Sequence, residues 1–419
     1  MSIVAMKFGG TSVASAEKIR TAARRAIATR KQGHQVVMVV SAMGKTTDEL
    51  ERLAHEVAKR PHKREWDQLM ATGEQVTISL MAMALEDLGQ PAISYTSWQI
   101  GIVTDDVHTK ARIRTIDAKK IHKDLDAGRI VIVAGFQGVT PDGHVTTLGR
   151  GGSNVTLVAL AAALKADVCE NYTDVDGIYT ADPRLVPNAR KINAVSYDEM
   201  LELSSLGASV LHNRAVEFAK KYDVPIHVRN SGNQRKGTMI VAETENMERI
   251  VVSGAALKDQ LARVTLRNVP DKPGVAADIF HTIAKHQIVV DDIIQTSGEG
   301  RNAVISFTVD LRELPEAKRV IGKLEKRLRC EAQYEDHLAK VSVVGVGMRV
   351  HTGVAERMFA ALAGAGINIQ NISTSEIKIS CLIDQGQGPE ALRLVHDAFD
   401  LGGKPKRPRK PVKKAKKSK

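Results

Sequence analysis

Long apolar runs are missing from this chain, and cysteine and aromatic residues are scarce. No run approaches the ~18 apolar residues that a membrane helix needs, so no membrane partner is expected. The chain opens directly on a strand-like segment, without a signal-peptide pattern. Its three cysteines, Cys169, Cys330 and Cys381, are never in C-x-x-C spacing. That argues against a disulfide framework or a cysteine zinc site and fits a reducing, cytoplasmic compartment. Aromatic residues make up 4% of the chain and are not interleaved with basic ones, so stacking on nucleobases has no support. The net charge of +12 is concentrated at the end: residues 404–419 hold ten Lys or Arg and no acid. Spaced by proline and nearly devoid of apolar side chains, residues 403–419 read as a disordered basic tail. Such a tail is either a solubilising segment or a weak polyanion binder, and no specific nucleic acid is expected.

What is present is a globular chain of 419 residues, 43% hydrophobic and 26% charged, long enough for two or three domains. Residues 1–240 alternate short apolar strands with helical segments. Val36–Val40 and Ile130–Ala134 are continuous β-branched runs, which implies an α/β domain with a mainly parallel sheet covered on both faces. Ile3-Val4-Ala5 leads into Met6-Lys7-Phe8-Gly9-Gly10-Thr11-Ser12-Val13, and a helix is expected over 14–27. A strand that turns on glycines into a helix is either a plain connection or a phosphate cradle, because free amides and the helix dipole favour an anion. Gly44-Lys45-Thr46 is not a P-loop: the required earlier glycine falls at position 39, which is Val.

A second glycine cluster, Gly149-Arg150-Gly151-Gly152-Ser153-Asn154, precedes an Ala/Leu-rich helix over 155–164. The guanidinium beside it suits a carboxylate or phosphate. Thr173 to Arg184 is rich in Asp and turn formers, either a solvated turn or a loop that holds a nucleotide or its metal. Glu74 opens another helix that runs to Leu88. Farther on, residues 263–402 contain an internal repeat: Gly274-Val275-Ala276, Phe280 and Ile288 recur 79 residues later as Gly353-Val354-Ala355, Phe359 and Ile367. Each copy reads as a small α+β module without a nucleophile–base pair or a metal-ligand cluster.

In order, Lys7–Val13, Ser41–Gly44 with Thr46–Leu50, Thr72–Glu74, Gly149–Ser153 and Thr173–Arg184, followed by the paired modules, resemble the aspartate kinase family over residues 1–402. The resemblance implies a three-layer αβα amino-acid-kinase domain (1–240) and a linker or strand (241–262). Two ferredoxin-like ACT domains (263–336 and 337–402) would follow. It implies phosphorylation of the L-aspartate β-carboxylate by ATP with Mg²⁺, the first step toward lysine, threonine and methionine.

The resemblance also distributes roles. Lys7 would neutralise the transferring phosphoryl group, with Phe8, Gly9 and Gly10 beside the nucleotide. Ser41, Thr47, Glu74, Arg150, Gly151, Gly152 and Ser153 would hold aspartate, Glu74 taking its amino group and Arg150 a carboxylate. Thr173, Asp174, Tyr179, Thr180, Ala181, Asp182, Pro183, Arg184 and Ser209 would line the ATP site; no metal ligands are assigned. Lysine or threonine, as effector, would use Asp271, Gly274, Ala276 and Gln295 with Asn368, Ile369 and Gln370, the latter from the same or a partner chain. A homo-oligomer through the ACT pair is implied.

Two positions depart from the family pattern: Asn154 stands where Asp is usual, and Ser209 where Lys is usual. They motivate an alternative, a catalytically weak amino-acid sensor. A kinase for another small substrate, such as glutamate or uridylate, is disfavoured by Glu74, Arg150 and the ACT pair.

Overall fold

A computed structural model describes residues 2–207, 210–242 and 251–403. Its centre is an eight-stranded sheet in the order Ala194–Ser196, Thr238–Val241, Ile226–Asn230, Val168–Thr173, Ile3–Phe8, Gln35–Val40, Ile130–Ala134, Ala92–Tyr95. Every pairing in it is parallel except that of Ile226–Asn230 with Thr238–Val241.

The inner strands lack the alternation of a half-exposed sheet because both faces are covered. One face (Ala5, Val37, Val39, Val131, Val133) packs on the helix Gly152–Ala163 through Val155, Leu157, Val158 and Leu160. The opposite face (Val4, Met6, Phe8, Val36, Met38, Val40) packs on Ala16–Lys31 and Thr72–Asp87 through Ile19, Ala22, Ala23, Ile78 and Met81. This is the expected three-layer αβα sandwich.

Boundaries shift by a few residues. The first glycine turn enters a short 3-10 turn, Gly10–Ser12, and the α-helix starts only at Ala16, where Ser15 Oγ accepts from the Lys18 amide. The Ala/Leu-rich helix instead starts early, at Gly152. A second, four-stranded sheet of three- and four-residue strands was not expected; its order is Ile113–Ile116, Ile102–Thr104, Gln137–Val139, Val145–Thr147.

The repeat folds as anticipated in kind: helices Val275–Lys285 and Val354–Gly364 occupy the same place in the two copies. The copies, however, are fused through one six-stranded antiparallel sheet. Its two central strands, Gly254–Pro270 and Glu331–Val344, pair along most of their length and run through both modules. Residues 254–262 are therefore sheet rather than tether. The basic tail from 404 onward lies outside the described residues.

Candidate active site

Parallel register brings Phe8, Val40, Ala134 and Tyr172 to one end of the large sheet. The loops that leave the carboxyl ends of these strands are the glycine turn at 9–10, Ser41–Lys45, the segment at 135–136 and the stretch from Asp174. In open α/β sheets that edge is where ligands bind.

A cavity of about 320 Å³ opens there, lined by Lys7, Ser41, Thr47, Glu74 and Gly149–Asn154. Lys7 shares a strand face with Ala5, toward the helix Gly152–Ala163. Burial pushes its ammonium down to about 8, against the attraction of the nearby Asp174 carboxylate. Glu74 sits in the first turn of Thr72–Asp87 and is 3% exposed. Its Oε1 accepts the Ala42 amide at 3.0 Å, while Oε2 is buried with no partner among the described residues. Desolvation pushes its carboxyl up to about 8, in spite of the Ala42 hydrogen bond. A buried acid with one idle oxygen is poised for a cation, and an α-ammonium group would supply both charge and donors.

Opposite, Ser41 Oγ donates to Ser153 Oγ at 3.0 Å. Gly151 caps the helix Gly152–Ala163 with φ +75, and a Cβ there would lie 2.6 Å from His212 Cβ. Only glycine permits that turn, which leaves Arg150 exposed at the cavity mouth. Asn154 is 7% exposed, and its Oδ1 also lacks a partner among the described residues.

A second cavity, about 310 Å³, is lined by Thr173, Asp174, Tyr179, Ala181, Asp182, Pro183 and Arg184, all anticipated from the sequence. Asp182 and Arg184 form a two-pronged pair, Nε–Oδ1 3.0 Å and Nη2–Oδ2 2.6 Å. The far wall belongs to other parts of the chain: Leu203, Gly207, Ala255–Leu257 and Leu392 of the second repeat module. No local motif marks these residues, since long-range packing delivers them.

Several expected site residues point elsewhere. Phe8 is fully buried and stacks on Tyr172 at 4.7 Å, so its side chain belongs to the core. The Gly9 amide donates to the Tyr172 carbonyl at 3.3 Å, so of the two glycines Gly10 is the one whose amide has no partner among the described residues. Thr180 is buried and turned away from the cavity: its hydroxyl meets His396 Nε2 at 3.0 Å and donates to the Leu401 carbonyl at 3.1 Å. Ser209 lies outside the described residues.

Asp271, Gly274, Ala276 and Gln295 line a third cavity of about 330 Å³. Asn368, Ile369 and Gln370 do not reach it within one chain; Gln370 is held by Arg263, Nη2–Oε1 3.2 Å. Unanticipated residues of the first cavity include Trp66, Phe136, Thr147 and Thr109. Thr147 comes from the small sheet, Thr109 and Phe136 from loops that lead into it, and Trp66 from a helix, Lys63–Met70, that the sequence reading passed over.

One cavity has the half-buried Lys7 ammonium and the Glu74 carboxyl in its wall and the other is framed by an Asp-rich loop, an arrangement suited to a small-molecule phosphotransferase. The amino acid kinase family matches residues 2–230, and ACT domains match residues 264–329 and 341–399. The chain is 52% identical to Aspartokinase 2 of Bacillus subtilis, over 97% of this chain and 99% of that protein. It is also similar to E. coli aspartokinase III in complex with aspartate and ADP (R-state), at TM-score 0.83 and 25% identity over 95% of this chain and 99% of that one. Against the same enzyme with lysine and aspartate (T-state) the TM-score is 0.72 at 26% identity, over 95% and 99%. The chain belongs to the aspartokinase branch of the amino acid kinase family, and it is an ATP-dependent amino-acid kinase.

Proposed function

We propose that the protein transfers the γ-phosphoryl group of ATP to the β-carboxylate of L-aspartate, giving 4-phospho-L-aspartate and ADP. The observation that carries this reading is the convergence of Lys7, Glu74 and Arg150 on one cavity, with Asp174 linking Lys7 to the adjoining nucleotide-type cavity. In that cavity Glu74 Oε2 takes the substrate ammonium, Arg150 a carboxylate, and Ser41, Thr47 and Ser153 offer hydroxyls.

A β-carboxylate oxygen then attacks the γ-phosphorus, and the bond to the β–γ bridging oxygen breaks. Lys7 and the Gly10 amide stabilise charge on the transferring group. Such a reaction asks for positioning and charge neutralisation, not for a protein nucleophile. Among the described residues no group of three or more His, Cys, Asp or Glu could hold a metal ion. Mg²⁺ fits the site as a partner of the ATP phosphates, with the nearby Asp174 the acid beside them. The enzyme would open the route to lysine, threonine and methionine in the cytoplasm, consistent with three free, buried cysteines.

Feedback by lysine or threonine through the ACT pair belongs to the same reading, and the lysine complex of the E. coli relative supports it. A physical route exists in the nucleotide loop, which is bolted to the second module. Besides the Thr180 contacts, the Ala255 amide donates to the Thr180 carbonyl at 2.7 Å, and Ala181 and Val186 join that module's core. The open edge strands Asp291–Ser297 and Asn371–Ser375, with Ile293 and Ile372 exposed, would pair the modules of two chains.

The test is ADP release with aspartate, glutamate or uridylate as acceptor, followed by lysine and threonine in turn. Aspartate alone should support turnover, and at least one of the two amino acids should suppress it. Turnover with glutamate or uridylate but not aspartate would sink the reading.

Asn154 and Ser209 leave the kinase reading in place, because Lys7 and Arg150 remain. Asn154 lines the same cavity as Lys7 but, unlike an aspartate, cannot offset its charge. Restoring a charged pair, Asn154→Asp with Ser209→Lys, should raise kcat by about tenfold or more, since a single electrostatic donor at such sites is worth ~10²–10³. An unchanged kcat would show that the two positions are neutral.

A further inference from the structure

We propose that Thr109 is a further aspartate-binding residue, held in place by Asp67 as a positioning residue; this rests on the aspartate reading of the first cavity. Thr109 lines that cavity from the loop between the strands Ile102–Thr104 and Ile113–Ile116. Its φ is +69, left-handed backbone that a β-branched residue adopts only under constraint. Such strain persists where the surroundings over-determine it, and it gathers at ligand clamps. The Thr109 hydroxyl makes no hydrogen bond within the described residues, whereas the hydroxyls of Ser41 and Ser153 already meet each other.

The constraint is a single carboxylate. Asp67, on the helix Lys63–Met70, is wholly buried. Its two oxygens accept the Thr109 amide at 3.1 and 3.0 Å. Oδ1 also accepts the Thr147 hydroxyl at 2.6 Å, and Oδ2 faces His108 Nδ1 at 2.7 Å. Asp67 thus binds the 105–111 loop to the strand Val145–Thr147, which runs directly into Gly149-Arg150-Gly151. The Ala111 amide donates to the Thr147 carbonyl at 2.9 Å, and Arg214 donates to the carbonyls of both Ala111 and Leu148. The Thr109 carbonyl closes the arrangement, 3.1 Å from where a Cβ on Gly149 would sit. A buried carboxylate this fully satisfied is rigid, and it fixes Thr109 and the Arg150 turn as one unit facing the substrate.

The test is steady-state kinetics of the full chain in both substrates for Thr109→Ala, Thr109→Gly, Thr109→Ser and Asp67→Asn. A lost hydrogen bond to a charged ligand corresponds to about a 10–100-fold rise in KM for aspartate. Thr109→Ala and Thr109→Gly should show that rise with KM for ATP within about twofold, and Thr109→Ser should restore the wild-type value. Asp67→Asn keeps Oδ1 for the Thr147 hydroxyl and the Thr109 amide but turns the Oδ2 side, which meets the Thr109 amide and His108, into an N–H, so it should loosen Thr109, raise KM for aspartate as well and leave KM for ATP alone. Wild-type KM for aspartate in both Thr109→Ala and Thr109→Gly overturns the proposal, as does a Thr109→Ser enzyme as impaired as Thr109→Ala. If Asp67→Asn fails to fold, the three Thr109 variants decide alone. A wild-type enzyme that does not turn over aspartate at all overturns the underlying functional reading and this inference with it.

Discussion

Replacing Lys7 with alanine should abolish aspartate-dependent turnover, with kcat falling by at least about 10³, while aspartate still binds. Removing one electrostatic donor at a phosphoryl site ordinarily costs ~10²–10³. Lys7 should stand at or beyond the upper end, because Ser209 and Asn154 occupy positions where the family pattern carries charge. Its amine is also well placed to change state. Burial holds it near 8 in the ligand-free protein, so it is about nine-tenths protonated at pH 7. Polyphosphate beside it would push that value up again, so ATP binding should take up protons as the pH approaches 8. Calorimetry in buffers of different ionisation enthalpy reads this uptake, and it should vanish in Lys7→Ala. Turnover within tenfold of wild type in that variant would contradict the role.

Exchanging Glu74 for glutamine should weaken aspartate binding by about 10–100-fold, the worth of a hydrogen bond to a charged group. It should also erase a pH dependence. Desolvation holds the Glu74 carboxyl near 8, so at pH 7 this carboxyl is mostly protonated in the ligand-free site. The substrate ammonium requires the ionised form. Aspartate binding must therefore release a proton, and apparent affinity should improve by about tenfold per pH unit on the way up to 8. The sign is fixed: an acid raised by burial binds its proton in the empty site and loses it to an incoming cation. Glu74→Gln should bind weakly and evenly from pH 6 to 8. A Glu74→Gln enzyme that binds aspartate as tightly as wild type would show that Glu74 is not the ammonium partner.

The large sheet and its covering helices were legible because continuous β-branched runs and helical periodicity both span many residues. The small sheet was not: strands such as Ile102–Thr104 are too short for an alternation to register. Its absence hid Thr109 and Thr147 from the reading. The fused sheet of the two modules was obscured for another reason. In the strand Gly254–Pro270 the pairing register shifts between Lys258 and Leu261, and Gln260 takes φ +57. A bulge of that kind breaks the period-2 pattern and places Lys258-Asp259-Gln260 where a polar linker would stand.

The residues whose motifs point to aspartate, Ser41, Thr47, Glu74, Arg150, Gly151, Gly152 and Ser153, all line one cavity. The second cavity was half legible, because Leu203 and Leu392 reach it only through tertiary packing. Phe8 and Thr180 show the converse, since side chains inside a recognised motif can serve the core and a domain contact.

An acyl phosphate is captured by hydroxylamine, so the product can be identified as well as its by-product counted. Incubating the full chain with Mg-ATP, L-aspartate and hydroxylamine should yield β-aspartyl hydroxamate in step with ADP, and Lys7→Ala should yield neither. ADP release without hydroxamate, or hydroxamate formed from glutamate as readily as from aspartate, would contradict phosphoryl transfer to the aspartate β-carboxylate at this site.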